Sequence, residues 1–127
     1  MNSQQQLRNA APTRVISLRL PSAVDTALIR SANDAGRSVS SGLDWLLSNS
    51  FGNCQLFRQL GECPDVWDAK LDARIPTGTF EQLKIATEQL AIPISVYVRK
   101  LLYHVYVTKR LKYVKADGHY TLAGQHD

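Results

Sequence analysis

The chain has 127 residues, of which 44% are apolar, so it is long enough for one packed domain and too hydrophobic for a disordered chain. Its formal net charge of +4 is a mild bias toward polyanionic partners, which many basic proteins share without binding any. No apolar run approaches the ~18 residues of a membrane span, and the first residues lack the pattern of a signal peptide. We therefore expect a cytoplasmic protein with no membrane partner.

Residues 1–12 form a Gln-rich arm that we expect to be flexible, and residues 13–51 carry the pattern of a strand followed by two helices. The strand is indicated by three apolar residues that alternate with other residues: Ile16, Leu18 and Leu20. A period of two predicts a strand with one buried face and one free face. Pro21 then ends the strand and suits the first turn of a helix.

A tight turn is predicted between the two helices of this block. In the first helix, apolar or small residues recur at a spacing of three to four: Val24, Leu28, Ser31 or Ala32, and Ala35. This spacing predicts one buried helix face. Gly36 is typical of a left-handed cap at a helix C-terminus, and Ser38 is a favourable N-cap for the second helix. Trp45, on that second helix, is expected to pack in the core.

Residues 52–69 are predicted to connect two halves of the chain. They carry a net charge of −2 from one Arg against one Glu and two Asp, and we expect one short helix over Cys54–Leu60. Trp67 is expected to cover the edge of the core. Cys54 and Cys63 have no nearby histidine, so we expect neither a metal site nor a disulfide scaffold.

An internal repeat relates residues 13–51 to residues 70–107, because a shift of 55 residues aligns them without a gap. The segment Leu18-Arg19-Leu20-Pro21-Ser22 aligns with Ala73-Arg74-Ile75-Pro76-Thr77, Val39-Ser40 with Ile94-Ser95, and Leu46-Leu47 with Leu101-Leu102. Ala91 and Pro93 occupy the places of the glycine cap and the serine N-cap. One copy alone is too small to bury its apolar faces and leaves both edges of its strand unpaired. We therefore predict that the two strands pair in antiparallel over a core shared by four helices.

The two copies resemble the ribbon-helix-helix repressors of the Arc and MetJ type. The resemblance is carried by SLRLPSAVDTALIRSANDAGRSVSSGLDWLL and DARIPTGTFEQLKIATEQLAIPISVYVRKLL. The tandem arrangement in one short chain is similar to the TraY-like proteins of conjugative plasmids. The resemblance implies a mainly α fold with a short two-stranded antiparallel β-ribbon, in which two ribbon-helix-helix repeats form an intramolecular pseudo-dimer.

The resemblance also implies a DNA-binding surface. In this family the ribbon enters the major groove of double-stranded DNA, where each base pair presents a distinct pattern of donors and acceptors. The base-reading residues would be the outward positions of the two strands: Val15, Ser17, Arg19, Lys70, Asp72 and Arg74. The second helix of each copy would bind a flanking phosphate at its N-terminus, where backbone N–H groups are free. That role falls on Ser38, Val39, Ser40, Ile94 and Ser95.

Three residues depart from the family pattern. Val15 could contact only a thymine methyl group, and Asp72 could accept from a cytosine amino group but otherwise repels phosphate. Pro93 is expected to remove one N–H group from the second phosphate site. Because the two strands differ in their outward residues, we predict a non-palindromic DNA site.

The sequence shows no Ser/His/Asp arrangement, no paired carboxylates and no glycine-rich phosphate loop, so we expect neither catalysis nor a cofactor. The expected function is that of a transcriptional regulator, and within this family a repressor. Two alternatives stay open: a relaxosome accessory protein at a plasmid origin of transfer, with a relaxase as partner, and an adaptor or antitoxin-like module that binds protein without specific DNA readout. Further copies of the chain on adjacent DNA sites are also left open as partners.

Residues 108–127 form a basic tail with four Lys or Arg against two Asp. Asp117-Gly118 lies between two alternating segments, a pattern that favours a β-hairpin. Such a hairpin would either hold a basic strand near DNA or pack on the core.

Overall fold

The computed structural model describes residues 12–125, so the predicted N-terminal arm lies outside the described residues except for Pro12. The elements in chain order are β1 (Thr13–Leu20), α1 (Ser22–Asp34), α2 (Val39–Ser48), a 3-10 helix (Phe51–Gln59), β2 (Ala69–Pro76), α3 (Thr77–Leu90), α4 (Ile94–Tyr106), β3 (Leu111–Ala116) and β4 (His119–Gly124). The described residues form a mixed α/β structure of five helices and two small antiparallel sheets, which is compatible with the predicted class, mainly α with a short antiparallel β-ribbon. The structure is nevertheless more than two repeats, because a 3-10 helix separates them and a second two-stranded sheet follows. None of the helices in residues 12–125 combines the length and the apolarity that crossing a bilayer requires.

Strands β1 and β2 pair in antiparallel, with Ser17 opposite Asp72. This pairing confirms the prediction from the repeat. The alternating apolar residues of both strands are buried: Ile16, Leu18, Leu20, Leu71, Ala73 and Ile75. Pro21 and Pro76 stand immediately before the first residue of α1 and α3, at the N-cap. The fixed φ of proline therefore turns the chain out of the ribbon before each helix begins.

All four α-helices contribute to one core beneath the ribbon. The predicted apolar faces are buried at Val24, Leu28, Ala32, Leu43, Leu46, Leu47, Leu83, Ala86, Leu90, Val98, Leu101 and Leu102. The prediction that Ala35 lies on the buried face of α1 is wrong, because Ala35 is the C-cap residue and is exposed. The turn out of the helix explains this difference, because the 3.6-residue period no longer applies beyond Asp34.

The connector adds a further layer to the core. The 3-10 segment is kinked at Asn53, whose φ of −127° and ψ of 32° are not helical, and the part after the kink begins at Cys54, where the sequence predicts the short helix. Phe57 stacks on Tyr97 with ring centroids 4.3 Å apart, and the Tyr97 hydroxyl lies 2.7 Å from Ser50 Oγ. Since Ser50 Oγ also donates to the Leu47 carbonyl at 2.7 Å, it accepts from Tyr97. Every polar atom of this buried pair is therefore satisfied.

The tail forms a hairpin in which β3 and β4 pair around Asp117 and Gly118. Leu111 and Leu122 join the core, and Tyr113 donates its hydroxyl to the Leu46 carbonyl at 2.6 Å. The hairpin therefore packs on the core beside the C-terminal half of α2. Trp45 lies between the two, with its ring centroid 4.9 Å from that of Tyr113, which confirms its predicted packing role.

His104 joins α4 to the connector. It is 3% exposed, and its Nε2 lies 2.7 Å from the Gly61 carbonyl. A carbonyl can only accept, so Nε2 carries the proton and Nδ1 accepts from the Thr108 hydroxyl at 2.7 Å. Burial, with Lys100 and Arg110 nearby, lowers the pKa of His104 below its ordinary value of 6.5.

This lowered pKa predicts a stability that falls as the pH is lowered. Below pH 6.5 the unfolded chain binds a proton at His104 that the folded chain resists, so the free energy of unfolding decreases as pH falls through 6.5 toward the folded-state pKa. Denaturant unfolding at steps between pH 7.5 and 5.5 measures this decrease. His104→Gln flattens the pH profile, whereas the matched control His119→Gln, at an exposed hairpin position, leaves it steep. Equal slopes in wild type and His104→Gln would contradict the assignment.

The two first helices of the repeats end in the same way with different residues. Gly36 has φ 67° and follows the last turn of α1, as predicted for a left-handed cap. Ala91 occupies the equivalent place after α3 with φ 57°, and the Ile92 N–H donates to the Thr87 carbonyl at 3.0 Å. A Cβ makes this conformation unfavourable by roughly 1–2 kcal/mol. The second repeat therefore has the same cap geometry as the first, but its alanine makes that geometry less favourable in free energy than glycine does.

Ala91→Gly is accordingly expected to stabilise the protein by about 0.5–1 kcal/mol, since relief of the left-handed strain exceeds the added flexibility of the unfolded chain. Chemical denaturation measures this gain. The control Ala35→Gly changes a C-cap residue with φ −88°, and no gain is expected there. Equal losses of stability in both variants would contradict left-handed strain at Ala91.

Candidate nucleic-acid interface

The face of the ribbon β1–β2 that points away from the core carries all six predicted base-reading residues, and each of them is exposed. The register makes them three cross-strand pairs: Val15 with Arg74, Ser17 with Asp72, and Arg19 with Lys70. They fall on one face because strand residues alternate and the buried set occupies the other face. The surface combines three basic groups, one carboxylate, one hydroxyl and one aliphatic side chain.

The centre of this face lies at Ser17 and Asp72. These residues are equivalent under the 55-residue shift and are also paired across the ladder, so the approximate two-fold axis of the repeats passes between them. The equivalent arginines, Arg19 and Arg74, lie at opposite ends. Arg19 is paired with Lys70, whereas Arg74 is paired with Val15. The backbone is thus nearly symmetric and its side chains are not.

Asp72 is held by its neighbours on the face. Ser17 Oγ donates to Asp72 Oδ1 at 2.5 Å, and Lys70 Nζ lies 3.8 Å from Asp72 Oδ2. The lysine side chain is 57% exposed, so water screens the ion pair. The carboxylate retains acceptor capacity for an amino group presented from outside.

The start of α2 lies against the outer edge of β2. Ser40 Oγ accepts the backbone N–H of Arg74 at 2.9 Å, which ties the helix to the strand. Ser38 is the N-cap, as predicted, and its hydroxyl accepts the Ser41 N–H at 3.1 Å. Both serine oxygens are therefore used as acceptors within the protein. The N–H groups of Val39 and Ser40, which have no intrahelical acceptor, remain for an anion.

The start of α4 lies along the outer edge of β1. Ile94 and Ser95 line the same shallow groove as Val15 and Ile16. Pro93 is the N-cap residue, and no side chain caps the helix. Because proline has no N–H group, the N-cap of α4 offers no backbone donor, whereas Ile94 and Ser95 in the first turn keep theirs. Neither α2 nor α4 has an acidic residue in its first turn.

At the starts of α1 and α3, the first backbone N–H group is hydrogen-bonded within the protein. The Asp68 carboxylate accepts the backbone N–H of Ser22 at 2.8 Å and its hydroxyl at 3.0 Å. These two hydrogen bonds lower the pKa of Asp68. The Thr77 N–H donates to the Pro12 carbonyl at 3.2 Å. The N–H groups of Ser22 and Thr77 are therefore used within the protein, whereas the first turns of α2 and α4 flank the two edges of the ribbon with Val39, Ser40, Ile94 and Ser95.

Two residues outside the predicted site lie beside the ribbon. Arg99 Nε donates to the Arg19 carbonyl at 2.7 Å, and its guanidinium carbon lies 4.3 Å from the centroid of the Trp67 ring. Trp67 is 45% exposed, so its predicted role as a cover over the core edge is wrong. Its ring covers an arginine instead. No local sequence pattern signals this contact, because Arg99 is 80 residues from Arg19.

Comparison with known protein families, curated proteins and solved structures finds no match to this chain. Within residues 12–125, no group of three or more His, Cys, Asp and Glu residues is placed to hold a metal ion.

Proposed function

We propose that this chain is a ribbon-helix-helix protein, with two repeats forming an intramolecular pseudo-dimer, that binds double-stranded DNA by placing the ribbon β1–β2 in the major groove. One observation carries the proposal: an exposed ribbon face rich in basic and hydrogen-bonding groups is flanked at one edge by the start of α2, where Val39 and Ser40 keep N–H groups, and at the other by the start of α4, which no side chain caps. A two-stranded ribbon fits the major groove. The phosphate backbones would then pass the two edges of the ribbon, where α2 and α4 begin.

The side chains define the bases that the ribbon would read. Arg19 and Arg74 have the planar fork that pairs with the O6 and N7 acceptors of guanine. Asp72, at the centre, accepts from the amino group of cytosine, and Val15 contacts a thymine methyl group. Because the arginine at one end is paired with Lys70 and the arginine at the other with Val15, the two halves of the site would differ in sequence.

Phosphate binding would come from backbone dipoles more than from serine hydroxyls. The first turns of α2 and α4 present N–H groups at the positive end of a helix dipole, which favours an anion. Ser38 and Ser40 would contribute mainly by fixing α2, since their oxygens already accept hydrogen bonds. Ile94 and Ser95 would present the second site at the edge of β1.

The proposed biological role is transcriptional regulation, most simply repression, in which the bound protein covers a promoter. The tandem arrangement supports a second candidate, a relaxosome accessory protein that binds an origin of transfer together with a relaxase. The position of the selected DNA site distinguishes the two roles, since one lies over a promoter and the other beside a nick site. Binding by additional copies would appear as adjacent sites.

Selection of binding sites from random duplexes, followed by anisotropy titration, tests DNA reading by the ribbon. We expect a non-palindromic motif. Arg19→Ala and Arg74→Ala should each remove preference at a different base position, by roughly 1–3 kcal/mol per bidentate contact. Lys84→Ala, which removes one exposed charge from α3 and leaves both ribbon strands unchanged, is the matched control and should preserve the motif.

A motif with perfect two-fold symmetry would contradict the asymmetric reading of the two strands. Absence of any motif, with weak binding that neither arginine substitution changes, would contradict DNA reading altogether. The protein-binding alternative, an adaptor or antitoxin-like module, predicts that second outcome and no salt-sensitive affinity for DNA.

A further inference from the structure

Arg99 is held in one orientation at the outer edge of β1. Its Nε donates to the Arg19 carbonyl at 2.7 Å, and the Trp67 ring lies against its guanidinium at 4.3 Å. An aromatic ring at this distance attracts the cation and restricts the orientation of the planar guanidinium. Arg99 itself is only partly exposed. Its side chain therefore loses part of its conformational entropy when the protein folds, and that part is not lost again when a ligand binds.

The Arg99 guanidinium has hydrogen-bond donors that the contact to Arg19 does not use. Nε makes the hydrogen bond to Arg19, which leaves the N–H groups of the two terminal nitrogens. Within residues 12–125, the ion pairs at 4.0 Å or less are Lys70 with Asp72 and Lys100 with Glu62, so no carboxylate lies within ion-pair distance of Arg99. Glu62 and Asp65 line the same surface hollow, but Glu62 is directed to Lys100 at 3.7 Å.

The position of Arg99 is specific to the second repeat. The equivalent residue of the first repeat under the 55-residue shift is Asp44, whose carboxylate accepts the Thr79 hydroxyl at 2.7 Å. The second repeat therefore has a cationic group bonded to β1 at the position where the first repeat has a carboxylate bonded to α3. This group lies at the end of the ribbon that already carries Arg19 and Lys70.

We propose that Arg99 binds a DNA phosphate at the edge of β1 and that Trp67 is its positioning residue. This inference rests on the proposed function, because it assumes that the ribbon lies in the groove. Phosphate is the expected ligand because Arg99 stands at the outer edge of the ribbon, where a DNA backbone would pass, and not on the base-reading face. A planar fork with free terminal N–H groups matches two phosphate oxygens.

The salt dependence of affinity for the selected duplex tests this role, because the slope of log K against log salt changes by ~0.9 for each phosphate that the protein neutralises. Arg99→Gln is expected to make the slope shallower by about that amount and to weaken binding about tenfold at 0.1 M salt. Its base preferences should stay unchanged. Lys84→Gln, which removes an equal charge from α3, is the matched control and should leave the slope near the wild-type value.

Trp67→Ala tests the positioning role while leaving the charge of Arg99 in place. We expect weaker binding, and we expect Trp67→Ala to add almost nothing in the Arg99→Gln background, since it acts through that side chain. Arg99→Lys should keep most of the salt slope and still bind several-fold more weakly, because an ammonium lacks the planar fork. If Arg99→Gln does not fold, the Trp67→Ala and Arg99→Lys titrations decide the question.

The outcomes separate this inference from the proposed function. Wild type that selects a motif, together with a folded Arg99→Gln that keeps the full salt slope, overturns the phosphate role and leaves the ribbon as the DNA reader. Additive reductions in affinity in the double variant overturn the role of Trp67. Wild type without a motif overturns the proposed function and this inference with it.

Discussion

The pairing of β1 with β2 is the interaction on which the rest of the structure depends. Alone, each strand would leave two edges of backbone N–H and C=O groups unpaired. The antiparallel ladder joins the two repeats and places Ser17 opposite Asp72. This register decides which side chains enter the core, because a slip by one residue would exchange the faces of a strand. The shared core and the exposed face are therefore fixed together.

The repeat supplies a nearly symmetric backbone, and divergence between the copies makes the surfaces differ. The left-handed helix cap is Gly36 in one copy and Ala91 in the other. Asp44 bonds to Thr79 in one copy, while its counterpart Arg99 reaches the ribbon in the other. Because both copies belong to one chain, each can change without requiring the same change in its partner. A homodimer would have to carry every change twice.

Much of the fold could be predicted because it depends on local periodicity. The alternation of Ile16, Leu18 and Leu20, with its counterpart in the second copy, predicts strands that share a buried face. The repeat then predicts that these strands pair. The exposed ribbon residues follow from the same alternation. Proline positions are harder to predict, since Pro93 suits either a first turn or the N-cap in front of it.

Contacts between distant segments could not be predicted in the same way. Nothing near Trp67 in the sequence indicates that its ring lies on Arg99, because 32 residues and two elements separate them. The sequence likewise leaves open whether the basic hairpin lies near DNA or on the core. The hydrogen bond from Tyr113 to Leu46 shows that it packs on the core. Such contacts depend on how the helices and strands pack against one another, which local sequence patterns do not indicate.

The central claim is that the ribbon, and not the other basic surface at β3–β4, meets DNA. Backbone amide shifts of the ¹⁵N-labelled protein, titrated with a selected duplex, measure this directly. We expect the largest shift changes in β1, β2 and the first turns of α2 and α4, with β3 and β4 little changed. Changes concentrated around Lys112 and Lys115 of the hairpin, with an unperturbed ribbon, would contradict it.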